Sequence, residues 1–154
     1  DGLKNISLLG RYQVLSVSPE IILDVAHNED SAQKLQENLN KSPATSTIAI
    51  VGILKDKDVY SLIKPMIDIV DEWHCVTIDS ARGMNAKEIK TRMSTLVSKK
   101  KIYAYDSMQD ATSKVISQLN EDSRLIVYGS FYTVSEYLSC HKSSNIGQAS
   151  NNEF

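Results

Sequence analysis

The chain has 154 residues, 42% hydrophobic and 23% charged, and carries a net charge of −2: enough chain for one core, too apolar for wholesale disorder, and too weakly charged to suggest nucleic acid or an anionic membrane as partner. The longest apolar run, residues 48–54, is too short to span a bilayer, and no signal-peptide pattern opens the sequence. Cys75 and Cys140 lie far apart, with neither disulfide-framework nor metal-site spacing, so a reducing cytoplasm is the expected compartment.

Residues 1–9 are expected to be a linker or leader, and the Asp1-Gly2 start suggests a piece of a longer protein. The first β-rich run is 12–17 and the second 21–25. Only Ser18, Pro19 and Glu20 separate them, too few for a crossover, so a hairpin is expected and the opening strand should be antiparallel. Further strands are expected at 47–51, 72–78, 102–104 and 125–128. Between them, apolar residues recur at helical spacing over 30–39, 59–69, 85–97 and 108–119, and a last helix is expected over 134–138. Lys99, Lys100 and Lys101, the basic run of the sequence, are expected to be the solvated end of a helix. Residues 141–154 are polar and rich in Ser and Asn and are expected to be a disordered tail. The whole reads as α/β: a Rossmann-like open sheet of about six strands, mostly parallel, with helices on both faces.

In such a sheet ligands bind beyond the carboxyl ends of the strands. Four polar loops follow strands here: Asp24-Val25-Ala26-His27-Asn28, residues 52–58, residues 79–83, and Gly129-Ser130-Phe131-Tyr132-Thr133. Each has an ordinary structural reading. Asn28 can begin a helix with Glu29 and Asp30 in its first turn, Asp58 and Asn85 can cap the next two, and Gly52 and Gly129 can permit tight turns. Asp24 and His27 fit that reading less well, because Asp24 interrupts an apolar strand. Neither phosphate-loop nor dinucleotide fingerprint is present. His27, His74 and His141 are too scattered for a metal site, with His74 expected to be half-exposed or satisfied within the core, and no nucleophile has a base at readable spacing. What remains is an anion-handling surface of Arg11, Lys55, Lys57, Arg82, Ser130 and Thr133, with Asp24 and His27 as orienting groups.

Taken in order, Gly-Arg-Tyr-Gln at 10–13, Leu-Asp-Val-Ala-His-Asn at 23–28, Gly-Ile-Leu-Lys-Asp-Lys-Asp at 52–58, Asp-Ser-Ala-Arg-Gly at 79–83 and Gly-Ser-Phe-Tyr-Thr-Val at 129–134 resemble the C-terminal domain of the folylpolyglutamate synthase/dihydrofolate synthase family, within the Mur ligase superfamily. On this resemblance residues 10–140 form the domain. The resemblance implies an ATP-dependent ligase that activates a folate or dihydropteroate carboxylate as an acyl phosphate and couples it to L-glutamate. It further implies that a preceding ATPase domain of the same polypeptide holds magnesium, that this chain closes over that domain and is inactive alone, and that the protein is a cytoplasmic monomer. Carried over by motif, Arg11 and Asp24 match nucleotide-facing positions, and His27 and Ser130 match positions linked to glutamate. Arg82 is carried over for the glutamate carboxylate. No catalytic residue is assigned within the chain. Leu9 and Glu29 depart from the family pattern, where proline is frequent, without touching a proposed contact. Two alternatives stand beside this reading: another Mur-type amino-acid ligase domain, and a non-catalytic anion-binding regulatory module.

Overall fold

A computed structural model describes residues 11–44 and 46–152. Its strands are β1 (Gln13–Val17), β2 (Glu20–Asp24), β3 (Ser46–Val51), β4 (Glu72–Val76), β5 (Lys101–Tyr105) and β6 (Ser123–Tyr128). They form a six-stranded sheet in the order β1-β2-β6-β3-β4-β5. β1 pairs antiparallel with β2, Val17 facing Glu20 across the Ser18-Pro19 turn, whose peptide bond is cis; every other neighbouring pair is parallel. The expected open sheet with an antiparallel first strand is therefore observed. Gly10 and the leader 1–9 lie outside the described residues.

The helices are α1 (Glu29–Asn40), α2 (Val59–Ile63) running into a 3-10 turn (Lys64–Met66), α3 (Ala86–Met93), α4 (Met108–Ile116) and α5 (Phe131–Asn152). Side chains of Asn28, Asp58, Asn85 and Ser107 cap the first four, each accepting from a backbone N–H that the helix itself leaves unpaired. The helix expected over 59–69 is divided because Pro65, at the start of the 3-10 turn, cannot donate to the ladder. The last helix differs most from expectation. It begins at Phe131 and its backbone continues to Asn152, through the segment expected to be a disordered tail; no proline follows Pro65 to stop it. Among the described residues no helix is long and apolar enough to cross a membrane.

Strand alternation builds two cores. Ile22, Ala49, Val51, Trp73, Cys75, Ile126 and Tyr128 meet α1, α2 and α3 on one face, while Ile21, Leu23, Ile50, Val76, Leu125 and Val127 meet α4 and α5 on the other. Cys75 and Cys140 are free thiols, and burial pushes the Cys75 thiol up to about 12, so it packs as an apolar group.

Three polar side chains fasten this frame. Arg124 on β6 is only 4% exposed. Its Nη1 donates to the carbonyls of Leu39 at 3.2 Å and Ser42 at 2.5 Å, and its Nε to Thr47 Oγ1 at 3.4 Å. Because α1 has no basic residue in its own last turn, Arg124 provides the cation that this negative helix end favours. Lys100 does similar work for the 3-10 turn, its Nζ donating to Ile67 O at 2.5 Å and Val70 O at 2.6 Å, so it is a fastening rather than a solvated lysine. His74 is fully buried, with Nδ1 2.8 Å from Tyr105 Oη and Nε2 2.9 Å from Glu72 Oε2, and stacks on Tyr103. Of the two expectations for His74, satisfaction within the core is the one observed.

Candidate functional site

The carboxyl ends of β2, β6 and β3 finish level, with Asp24 beside Tyr128 and Tyr128 beside Val51 in the ladder. α1 and α2 leave β2 and β3 toward one face, whereas α5 leaves β6 toward the other. β6 is therefore flanked by the places where successive connections diverge, which is where an open α/β sheet forms its crevice.

The first cluster surrounds Asp24. Its Oδ1 accepts from Ala26 N at 2.8 Å and its Oδ2 from Tyr12 N at 3.1 Å. Burial raises the Asp24 carboxyl above its ordinary range; the two amide bonds and the nearby charge of Arg11 oppose that rise. Arg11 itself is exposed. The loop then turns through His27, whose N–H donates to Ser31 Oγ at 3.1 Å and whose Nδ1 lies 3.2 Å from Val25 O. A carbonyl only accepts, so Nδ1 is the donor in this contact and Nε2 takes no part in it. Asn28 caps α1, with Oδ1 accepting from Ser31 N at 2.9 Å.

The second cluster joins β6 to β3. Ser130 is buried, and its Oγ accepts from Thr133 N at 3.1 Å and lies 2.8 Å from Thr133 Oγ1. Thr133 Oγ1 donates to Gly52 O at 2.8 Å, so the proton between the two hydroxyls belongs to Ser130. Thr133 is thus the partner through which Ser130 is held. Beneath them Gly129 has φ +123°, and Gly52 N donates to Tyr128 O at 3.3 Å. Phe131 and Tyr132, exposed and edge-to-face, form the rim.

The third cluster places Arg82 beside the loop after β3. Lys55 N donates to Arg82 O at 2.7 Å, Met84 N to Ile53 O at 2.8 Å, and the Arg82 guanidinium lies 3.8 Å from Asp56. Both charged groups are 61% exposed, so the pair adds little stability but leaves a guanidinium at the surface. The structure thus sets the charge of Arg11 near Asp24, holds through Ala26 the loop that carries His27, ties Ser130 to Thr133 and Gly52, and ties Arg82 to Lys55 and Asp56.

Sequence reasoning overlooked Glu136. From α5 its Oε2 accepts from Asp79 N at 2.9 Å, and burial raises its carboxyl above the ordinary value. With Thr77, Asp79, Ser80, Asp106 and Met108 it lines a cavity of about 560 Å³ at the ends of β4 and β5. Spaced 57 residues apart, Asp79 and Glu136 give no local signal of their pairing. A second cavity of similar volume, lined by Lys87, Lys90, Tyr103 and Tyr105, lies between α3 and β5. Among the described residues no cluster of three or more His, Cys, Asp or Glu could hold a metal ion.

The description of the Mur ligase glutamate ligase domain fits residues 10–131. The chain belongs to this family. This Mur ligase domain is 34% identical over 138 residues to a dihydrofolate synthase/folylpolyglutamate synthase of Buchnera aphidicola subsp. Baizongia pistaciae, covering 87% of the chain and 31% of that protein. It is 30% identical over 139 residues to the Escherichia coli enzyme of the same name, covering 90% of the chain and 32% of that protein. It spans about a third of the length of these relatives. Among solved structures, Escherichia coli FolC in complex with ADP superposes with a TM-score of 0.80 at 27% identity, over 88% of this chain and 32% of that one. A bifunctional folylpolyglutamate synthase/dihydrofolate synthase with Mn, AMPPNP and L-glutamate bound superposes at 0.78 with 29% identity, over 86% of this chain and 31% of that one. The Mur ligase domain therefore has the fold of the C-terminal part of the folate-type glutamate ligases.

Proposed function

We propose that the chain is the closing domain of an ATP-dependent ligase that adds L-glutamate to a folate or dihydropteroate carboxylate. The observation that carries this reading is the level ledge at β2, β6 and β3, on which the family-matched Arg11, Asp24, His27 and Ser130 all sit at one end of the sheet.

In the proposed reaction an oxygen of the acceptor carboxylate attacks the γ-phosphorus of ATP, and ADP departs. The glutamate amine, having lost a proton, then attacks the acyl carbon of the resulting acyl phosphate, and inorganic phosphate leaves as the amide forms. Arg11 offsets charge spread over the phosphoryl oxygens with its planar, delocalised cation. Asp24 positions the loop beside it, and the His27 Nε2 and the exposed Arg82 address glutamate, the latter by two parallel bonds to a carboxylate. Ser130 acts by capping α5 and so presenting the helix N–H groups to an anion. Magnesium is assigned to the part of the relatives' length that this chain does not span, and no step here runs through it. Closure of a domain over an acyl phosphate shields it from water and orients the amine, and both raise the rate.

The test is phosphate release dependent on ATP, glutamate and either tetrahydrofolate or dihydropteroate. The 154-residue chain alone should be inactive, and a protein of the relatives' length containing it should be active. Inactivity of both, with either acceptor, would overturn the assignment.

A further inference from the structure

Among the described residues Tyr12 is the non-glycine residue with a positive φ, +44°. An L-residue in that conformation costs energy and persists only where its surroundings hold it there. Two bonds hold it. Its N–H donates to Asp24 Oδ2 at 3.1 Å, and its hydroxyl donates to Asn38 O in the last turn of α1 at 3.4 Å, while the ring packs against the core beneath α1. Asp24 uses its other oxygen on Ala26 N at 2.8 Å, so one carboxylate pins both the start of β1 and the loop that leads to His27.

We infer that Tyr12 is a positioning residue: its left-handed backbone, locked by Asp24 and Asn38, turns the chain so that Arg11 lies at the same sheet edge as His27. Asp24 acts in this scheme as a clamp between the two segments, because each of its oxygens already accepts a backbone N–H. A β-branched residue resists the left-handed region, whereas asparagine tolerates it. The effect on catalysis rests on the proposed role of Arg11 in the ligase, but the backbone lock does not.

The lock is read on this chain by amide hydrogen exchange. Asp24→Ala should expose the Tyr12 amide while the α3 amides keep their protection; an unchanged Tyr12 amide overturns the inference whatever the enzyme does. The role of Tyr12 in positioning Arg11 is read in the active full-length protein. Tyr12→Val should raise the KM for ATP by about tenfold or more, Tyr12→Asn should recover most of that loss, and adding Tyr12→Val to Arg11→Ala should cost nothing further. A full additional loss in the double variant means that Tyr12 does not act through Arg11 and overturns this part. A full-length protein with no glutamate-dependent ATP consumption would defeat the ligase reading and with it the effect of Tyr12 on catalysis, leaving the backbone lock to be judged by exchange alone.

Discussion

Gly129 and Gly52 meet backbone against backbone at the floor of the crevice, so closely that a Cβ on Gly129 would lie far inside van der Waals contact with the Gly52 carbonyl oxygen. The φ of +123° at Gly129 is itself closed to other residues without strain. Gly129→Ala should therefore cost on the order of 3 kcal/mol or more, read as a lower urea midpoint with an unchanged slope. A loss below about 0.5 kcal/mol, the range of an ordinary surface change, would mean that the two loops can separate.

Arg124 should be worth more to stability than any exposed ion pair of the molecule. Removing it leaves the Leu39 carbonyl and Thr47 Oγ1 without this donor in buried surroundings, and the Ser42 carbonyl without it nearer the surface. Arg124→Ala is expected to cost about 2–4 kcal/mol. Amide exchange should show the loss first at the end of α1; equal loosening of α4 would point to a general effect instead.

Acid should weaken the fold through His74. Burial lowers its pKa below the ordinary 6.5, with Glu72 opposing. The unfolded chain therefore takes up the proton at a higher pH than the fold does, and stability falls as pH drops through 6.5 toward the folded value. Asp24 acts in the opposite sense at lower pH: its raised pKa lets the fold hold a proton that the unfolded chain has released above 3.8. Melting temperatures between about pH 7.5 and 5.5 should decline in the parent and decline less in His74→Gln. Parallel curves would remove His74 as the cause.

Function should separate from stability at Arg82 and fall together with it at Ser130. Arg82→Ala breaks only an exposed pair, so stability should change by less than about 0.5 kcal/mol, while the KM for glutamate of the full-length ligase rises. Ser130→Ala removes a buried cap and should cost about 1–2 kcal/mol as well as activity. If Arg82→Ala leaves the glutamate KM untouched, the carboxylate role belongs elsewhere.

Local pattern carried much of this molecule. β-rich runs located the six strands and helical spacing the first four helices, the three-residue link at 18–20 gave the hairpin, and the polar loops were placed together at one end of the sheet. Bonds that span the chain left no such trace. Arg124 reads in sequence as a charged residue beside a strand, because its partners Leu39, Ser42 and Thr47 lie 77 to 85 residues away. Thr133 looks like any hydroxyl at a helix start until β3 brings Gly52 beneath it. The left-handed turn at Tyr12 is imposed by Asp24 and Asn38, and no propensity of tyrosine announces it. Pro65 was visible but its effect was not, since a proline can either end a helix or open a tighter turn.

The level strand ends make length a measured quantity. Asp24, Tyr128 and Val51 share one rung, and Tyr128 and Val127 face opposite cores. One residue inserted in the middle of β6 would exchange those faces and carry Gly129 a step past Gly52. The crevice should accordingly accept many changes of side chain in its loops, yet reject a change of a single residue in the number that leads up to them.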